Sequence, residues 1–66
     1  MTQRIEKTMT LITGVQTAEQ AVSVIADAHP HLSKQAATNV VKDLQDFAAK
    51  TMELSELDFR LAEAGL

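Results

Sequence analysis

Apolar residues in the second half of this chain recur at the period of a helix. Val40, Phe47, Leu54 and Leu61 stand seven apart, Leu44 and Leu57 lie beside that line, and no Pro or Gly interrupts residues 33–64. Seven residues are nearly two turns, so the four side chains fall almost in line on one face. The pattern predicts one long C-terminal helix over about 34–64. Ser33 serves as its N-cap and Gly65 as the residue just past its end. Lys34 has the wrong sign for a first helical turn, so Ser33 alone marks the start. Asp46–Lys50 and Glu56–Arg60 are spaced as i, i+4 pairs in the favourable order. Ser55-Glu-Leu-Asp58 offers an alternative, a separate short helix with a bend at Leu54.

Two shorter elements precede it. Thr17-Ala-Glu-Gln20 has capping-box spacing, and Ala21, Val22, Ile25 and Ala28 follow at helical intervals. A helix is therefore expected from about Ala18 to Ala28, ended by His29-Pro30-His31, because the residue before Pro is pushed out of the α region. Residues 3–13 read two ways. Ile5, Met9 and Ile12 fit one helix face with Gly14 as its left-handed terminator, whereas Lys7-Thr-Met-Thr-Leu11 alternates like a half-buried strand. The expected fold class is all-α: a single small helical domain over 1–66, two shorter helices plus the long one, arranged as a helical hairpin.

Length turns this pattern into a question about partners. At 66 residues the chain buries only about 60% of its unfolded surface, so a lone core is marginal. With no Cys there is neither a disulfide nor a thiolate metal cluster to staple it. A helix over 34–64 would run about 46 Å, and the helix at 18–28 would cover only about 16 Å of it. The uncovered stripe points to a homodimer completing the hairpin, with Val22, Ile25, Val40, Leu44 and Phe47 in the core or dimer seam. It is not a regular zipper, because the second heptad position holds Ala37, Leu44, Thr51 and Asp58.

Charge separates the two halves. The net charge is −3, with residues 1–42 at +1 and residues 43–66 at −4. The acidic half repels phosphate backbones, which makes nucleic acid the less favoured ligand. No apolar run approaches the roughly 20 residues of a membrane span, and Met-Thr-Gln-Arg-Ile-Glu-Lys is no secretory signal, so a cytoplasmic protein without a membrane partner is expected.

Candidate chemistry is sparse. Asp27, His29 and His31 surround the single Pro and read as a polar turn rather than a metal site. The two glycines are far apart, so no phosphate-cradling loop forms, and no His pairs with a nucleophile in a recognisable motif. The expectation is a non-enzymatic protein without a cofactor. Two DNA routes stand as the alternative. A helix-turn-helix would present Lys34, Gln35, Thr38 and Asn39 from the start of the long helix. The strings Lys7-Thr-Met-Thr-Leu11 and Leu32-Ser-Lys-Gln-Ala36 resemble the strand and second-helix start of ribbon-helix-helix repressors. That resemblance implies DNA contacts from Lys7, Thr8 and Thr10 and a protein-binding acidic tail, as in antitoxins.

The leading expectation is a small helical inhibitor or adaptor, of the size and charge of phage or mobile-element accessory proteins, that modulates another protein. Leu54, Leu57 and Leu61 are its expected anchors, and the acidic rim of Glu53, Glu56 and Glu63 predicts a basic partner surface.

Overall fold

The apolar spacing resolves into a ring of short helices. The computed structural model describes residues 3–66, which form α1 (Gln3–Leu11), α2 (Ala18–Ala28), α3 (Lys34–Ala48) and α4 (Leu54–Glu63). Each helix packs on its neighbours in the chain, and α1 also packs on α4, which closes the ring. The all-α expectation stands, with four helices rather than three. The cap residues act as their types dictate. Thr17 Oγ1 accepts from the Gln20 amide at 3.1 Å, and Gln20 Oε1 accepts from the Gln16 amide at 3.1 Å. Ser33 Oγ accepts from the Ala36 amide at 3.1 Å. The threonines of residues 8–13 are tolerated because each hydroxyl donates to the carbonyl four residues back, Thr8 to Arg4, Thr10 to Glu6 and Thr13 to Met9. Residues 7–11 are thus helical, and the strand that a ribbon-helix-helix needs is absent among the described residues.

The long helix is broken, and the break has a physical cause. At its end α3 closes in a Schellman motif: the Thr51 amide donates to Asp46 O at 2.9 Å and the Lys50 amide to Phe47 O at 3.0 Å. Lys50 takes φ +64°, a left-handed conformation that costs a non-glycine residue about 1–2 kcal/mol. In return α4 folds back across α1 and α3, and Leu57 and Leu61 become completely buried. Burying two leucines gains about 3–6 kcal/mol, which outweighs the strain. The Asp46–Lys50 pair does not form, because Lys50 has left the helix, whereas Arg60 Nε meets Glu56 Oε2 at 3.3 Å as its spacing predicts. The second Schellman motif closes α4, with Gly65 at φ +83° and the Leu66 amide on Leu61 O at 3.0 Å. Lys50→Gly removes the strain at the first motif. It is expected to stabilise the protein by about 0.5–1 kcal/mol in urea denaturation, net of the entropy that glycine adds to the unfolded chain.

The core is complete within one chain. Ile5, Ala21, Ile25, Ala37, Val40, Val41, Leu44, Leu57 and Leu61 are buried together, and Met9, Val22, Phe47, Met52 and Leu66 pack around them. No buried side-chain polar atom among the described residues lacks a hydrogen-bond partner. The radius of gyration, 10.6 Å, matches the ~10.8 Å of a folded globular chain of this length. The 46 Å helix that called for a second subunit is replaced by α3, which by its rise is about 22 Å long. No described helix is long and apolar enough to cross a membrane.

Candidate functional site

With the core accounted for, α4 has an inner and an outer side. At about 100° per residue, Leu57 and Leu61 point inward and Phe59 points about 180° away from their mean direction. Phe59 is 61% exposed, the most exposed large apolar side chain among the described residues. Glu56 and Glu63 flank it on the helix surface, and both are exposed. Leu54 is 44% exposed at the start of α4, beside exposed Glu53.

The edges of α4 are fixed by ion pairs. Arg4 Nη1 reaches Asp58 Oδ1 at 3.2 Å and Arg4 Nε donates to Leu66 O at 2.6 Å, which ties α4 to α1. Arg60 Nη1 lies 3.7 Å from Asp43 Oδ1, which ties α4 to α3. Such half-exposed pairs are worth about 0–1 kcal/mol each and serve to orient the helix. Asp58 and Arg60 are committed to neighbouring helices on either side, so the outer face is left to Ser55, Glu56, Phe59, Ala62 and Glu63.

Several residues singled out in the sequence lie elsewhere than expected. Leu57 and Leu61 are fully buried in the protein's own core, and of the three leucine anchors only Leu54 reaches the surface. The premise that nothing in the chain covers the C-terminal stripe is therefore corrected. Ile25, Val40 and Leu44 are buried and Val22 and Phe47 half-buried, all within the single-chain core. Among the proposed DNA contacts, Lys7, Thr10, Lys34, Gln35 and Thr38 are exposed. Thr8 is 2% exposed with its hydroxyl on the Arg4 carbonyl, so it has no surface to offer DNA.

The described contacts of the two histidines are within the chain. The His31 ring nitrogen Nε2 lies 3.0 Å from Ala64 O, and with its proton there it caps the end of α4. The rings of His29 and His31 meet edge to face, with centroids 5.8 Å apart. The described residues hold no group of three or more His, Cys, Asp or Glu placed to bind a metal ion.

A second surface feature flanks α1. An open concavity of about 1020 Å³ lies between α1, the end of α2 and the C-terminal residue, with Arg4, Lys7, Leu11, Ala28, His29 and Leu66 in its wall. Leu11 is 39% exposed and also lines a smaller hollow with Val15 and Val24. Phe59 and Leu11 were not read as surface residues from the sequence. Drawing residues 54–63 alone as a helical wheel separates Phe59 from the leucines, but a continuous stripe through Leu54 and Leu61 draws attention to the wrong side.

Comparison of the chain with known protein families, curated proteins and solved structures finds no match.

Proposed function

We propose that this protein is a small non-enzymatic binding module that modulates another protein, inhibiting or adapting it through the outer face of α4. The observation that carries this reading is Phe59. Three large apolar side chains among the described residues are exposed, Leu11, Leu54 and Phe59, and Phe59 is the most exposed of them, an aromatic ring directed away from the core. Burying an exposed Phe is worth about 1.5–3 kcal/mol. Aromatic side chains ringed by polar ones are the usual centres of protein interfaces. Glu53, Glu56 and Glu63 around Phe59 and Leu54 favour a partner with a basic surface and make association sensitive to salt. The non-enzymatic reading is supported by the histidines, whose described contacts are to the Ala64 carbonyl and to each other.

The test uses the intact chain as bait in an extract of the cells that make it. Wild type is expected to retain its partner at low salt and release it as salt rises. Phe59→Ser is expected to weaken retention about tenfold or more, the effect of losing an interface anchor. Its thermal midpoint should stay unchanged, because an exposed side chain contributes little to folding. Equal retention by Phe59→Ser would refute the assignment.

Duplex DNA binding through α3 is the second reading. One observation favours it: the first turn of α3 holds no acid and presents exposed Lys34, Gln35 and Thr38, followed by exposed Lys42. Affinity for duplex that falls steeply with salt and is lost in Lys34→Glu would establish this route. The absence of duplex binding at low salt would remove it.

A further inference from the structure

The molecule carries two apolar surface features, one convex and one concave, at different places. Phe59 projects from α4 between Glu56 and Glu63. The concavity beside α1 presents Leu11, Ala28 and Leu66 as its apolar surface. Phe59 does not line it, so within one chain the ring does not fill it.

One charge pairing joins the two features. The wall of the concavity holds the cations Lys7 and Arg4 and the acid Glu6, with His29 beside them. Arg4 is already bound to Asp58 and Leu66 O, whereas Lys7 makes no ion pair among the described residues. Lys7 is therefore available to an acidic group arriving with an apolar one. The Phe59 surface supplies both: Glu63 stands one turn beyond the ring without an ion pair among the described residues, and Glu56 stands one turn before it, held by Arg60.

We propose that a second copy of this chain docks here, its Phe59 entering the concavity beside α1 and its Glu63 facing Lys7. This rests on the reading of the α4 outer face as a contact surface and names one occupant for it. The buried cluster of each copy is closed within its own chain, so the pairing is a reversible contact between surfaces rather than an obligate seam. Each contact covers the Phe59 of one copy and competes there with any other protein that uses the same face.

The contact joins two different patches, so damage to one is complemented by damage to the other. Sedimentation velocity over a concentration series is run on wild type, Phe59→Ser, Leu11→Glu and an equimolar mixture of the two variants. Wild type is expected to associate as concentration rises. Each variant alone is expected to associate about tenfold more weakly. The mixture is expected to form a one-to-one pair, because one variant keeps a sound concavity and the other a sound Phe59. Lys7→Glu replaces Leu11→Glu if circular dichroism finds the latter unfolded. A wild type that stays monomeric at about 1 mM overturns self-docking. So does undiminished association by Phe59→Ser, or a mixture that fails to pair. None of these results bears on retention of a different partner by wild type and its loss in Phe59→Ser, so the two readings fail separately.

Discussion

Leu57→Asp is expected to unfold the entire protein, with loss of helical circular dichroism from all four helices in one transition. Leu57 has no exposed surface and lies in the cluster shared by α1, α2, α3 and α4. An unpaired carboxylate there either costs several kcal/mol as a charge or must take up a proton, and the apolar contacts are lost in both cases. A single core of this size supplies only about 3–5 kcal/mol of net stability, so the substitution consumes all of it. A different architecture gives a different result. If α4 were an appendage on a hairpin of α2 and α3, the variant would keep most of its helicity and lose only a partner. Far-UV circular dichroism at 25 °C distinguishes the two, and retention of three-quarters of the helical signal would contradict the closed ring.

Ile25→Ala should cost about 3 kcal/mol and Ile25→Val about 1 kcal/mol in urea denaturation. Ile25 is fully buried in α2, the helix that packs on both α1 and α3, so truncation leaves a void that no single neighbour can close. The graded pair matters because the two variants remove different volumes at one site. A cost under 1 kcal/mol for Ile25→Ala would mean that the core around α2 is loose enough to collapse into the gap.

The parts of the fold that could be read in advance are those fixed by local chemistry. Thr17 with Gln20 marked the start of α2, Pro30 its end and Ser33 the start of α3, because a cap hydroxyl or a proline ring acts on atoms within a turn of itself. Gly14 and Gly65 marked left-handed positions for the same reason. Lys50 could not be found this way. Nothing in Ala48-Ala-Lys-Thr51 favours a left-handed residue, and the conformation is driven by what happens up to eleven residues later, when Leu57 and Leu61 enter the core. The heptad line favoured a continuous helix over the separate short helix that Ser55-Glu-Leu-Asp58 offers; α4 is separate, but its N-cap is Glu53 rather than Ser55. The members of that line divide between buried Val40 and Leu61, half-buried Phe47 and exposed Leu54, so a shared period did not mean a shared environment. The error in the contact surface followed from the error in the helix. On one continuous helix Leu57 and Leu61 have nothing to cover them and are the natural anchors; the turn at Lys50 takes both into the core, and Phe59, opposite them on the wheel in either case, is left as the outer residue.

The contact between α1 and α4 also makes closure of the ring a long-range event in folding. Arg4 bonds to Leu66 across a sequence separation of 62 residues, and Ile5 shares a cluster with Leu61. Ile5 and Ile25 therefore lack their final cover until α4 docks, and a partly folded chain in which α2 has packed on α3 alone exposes apolar surface that closure of the ring removes.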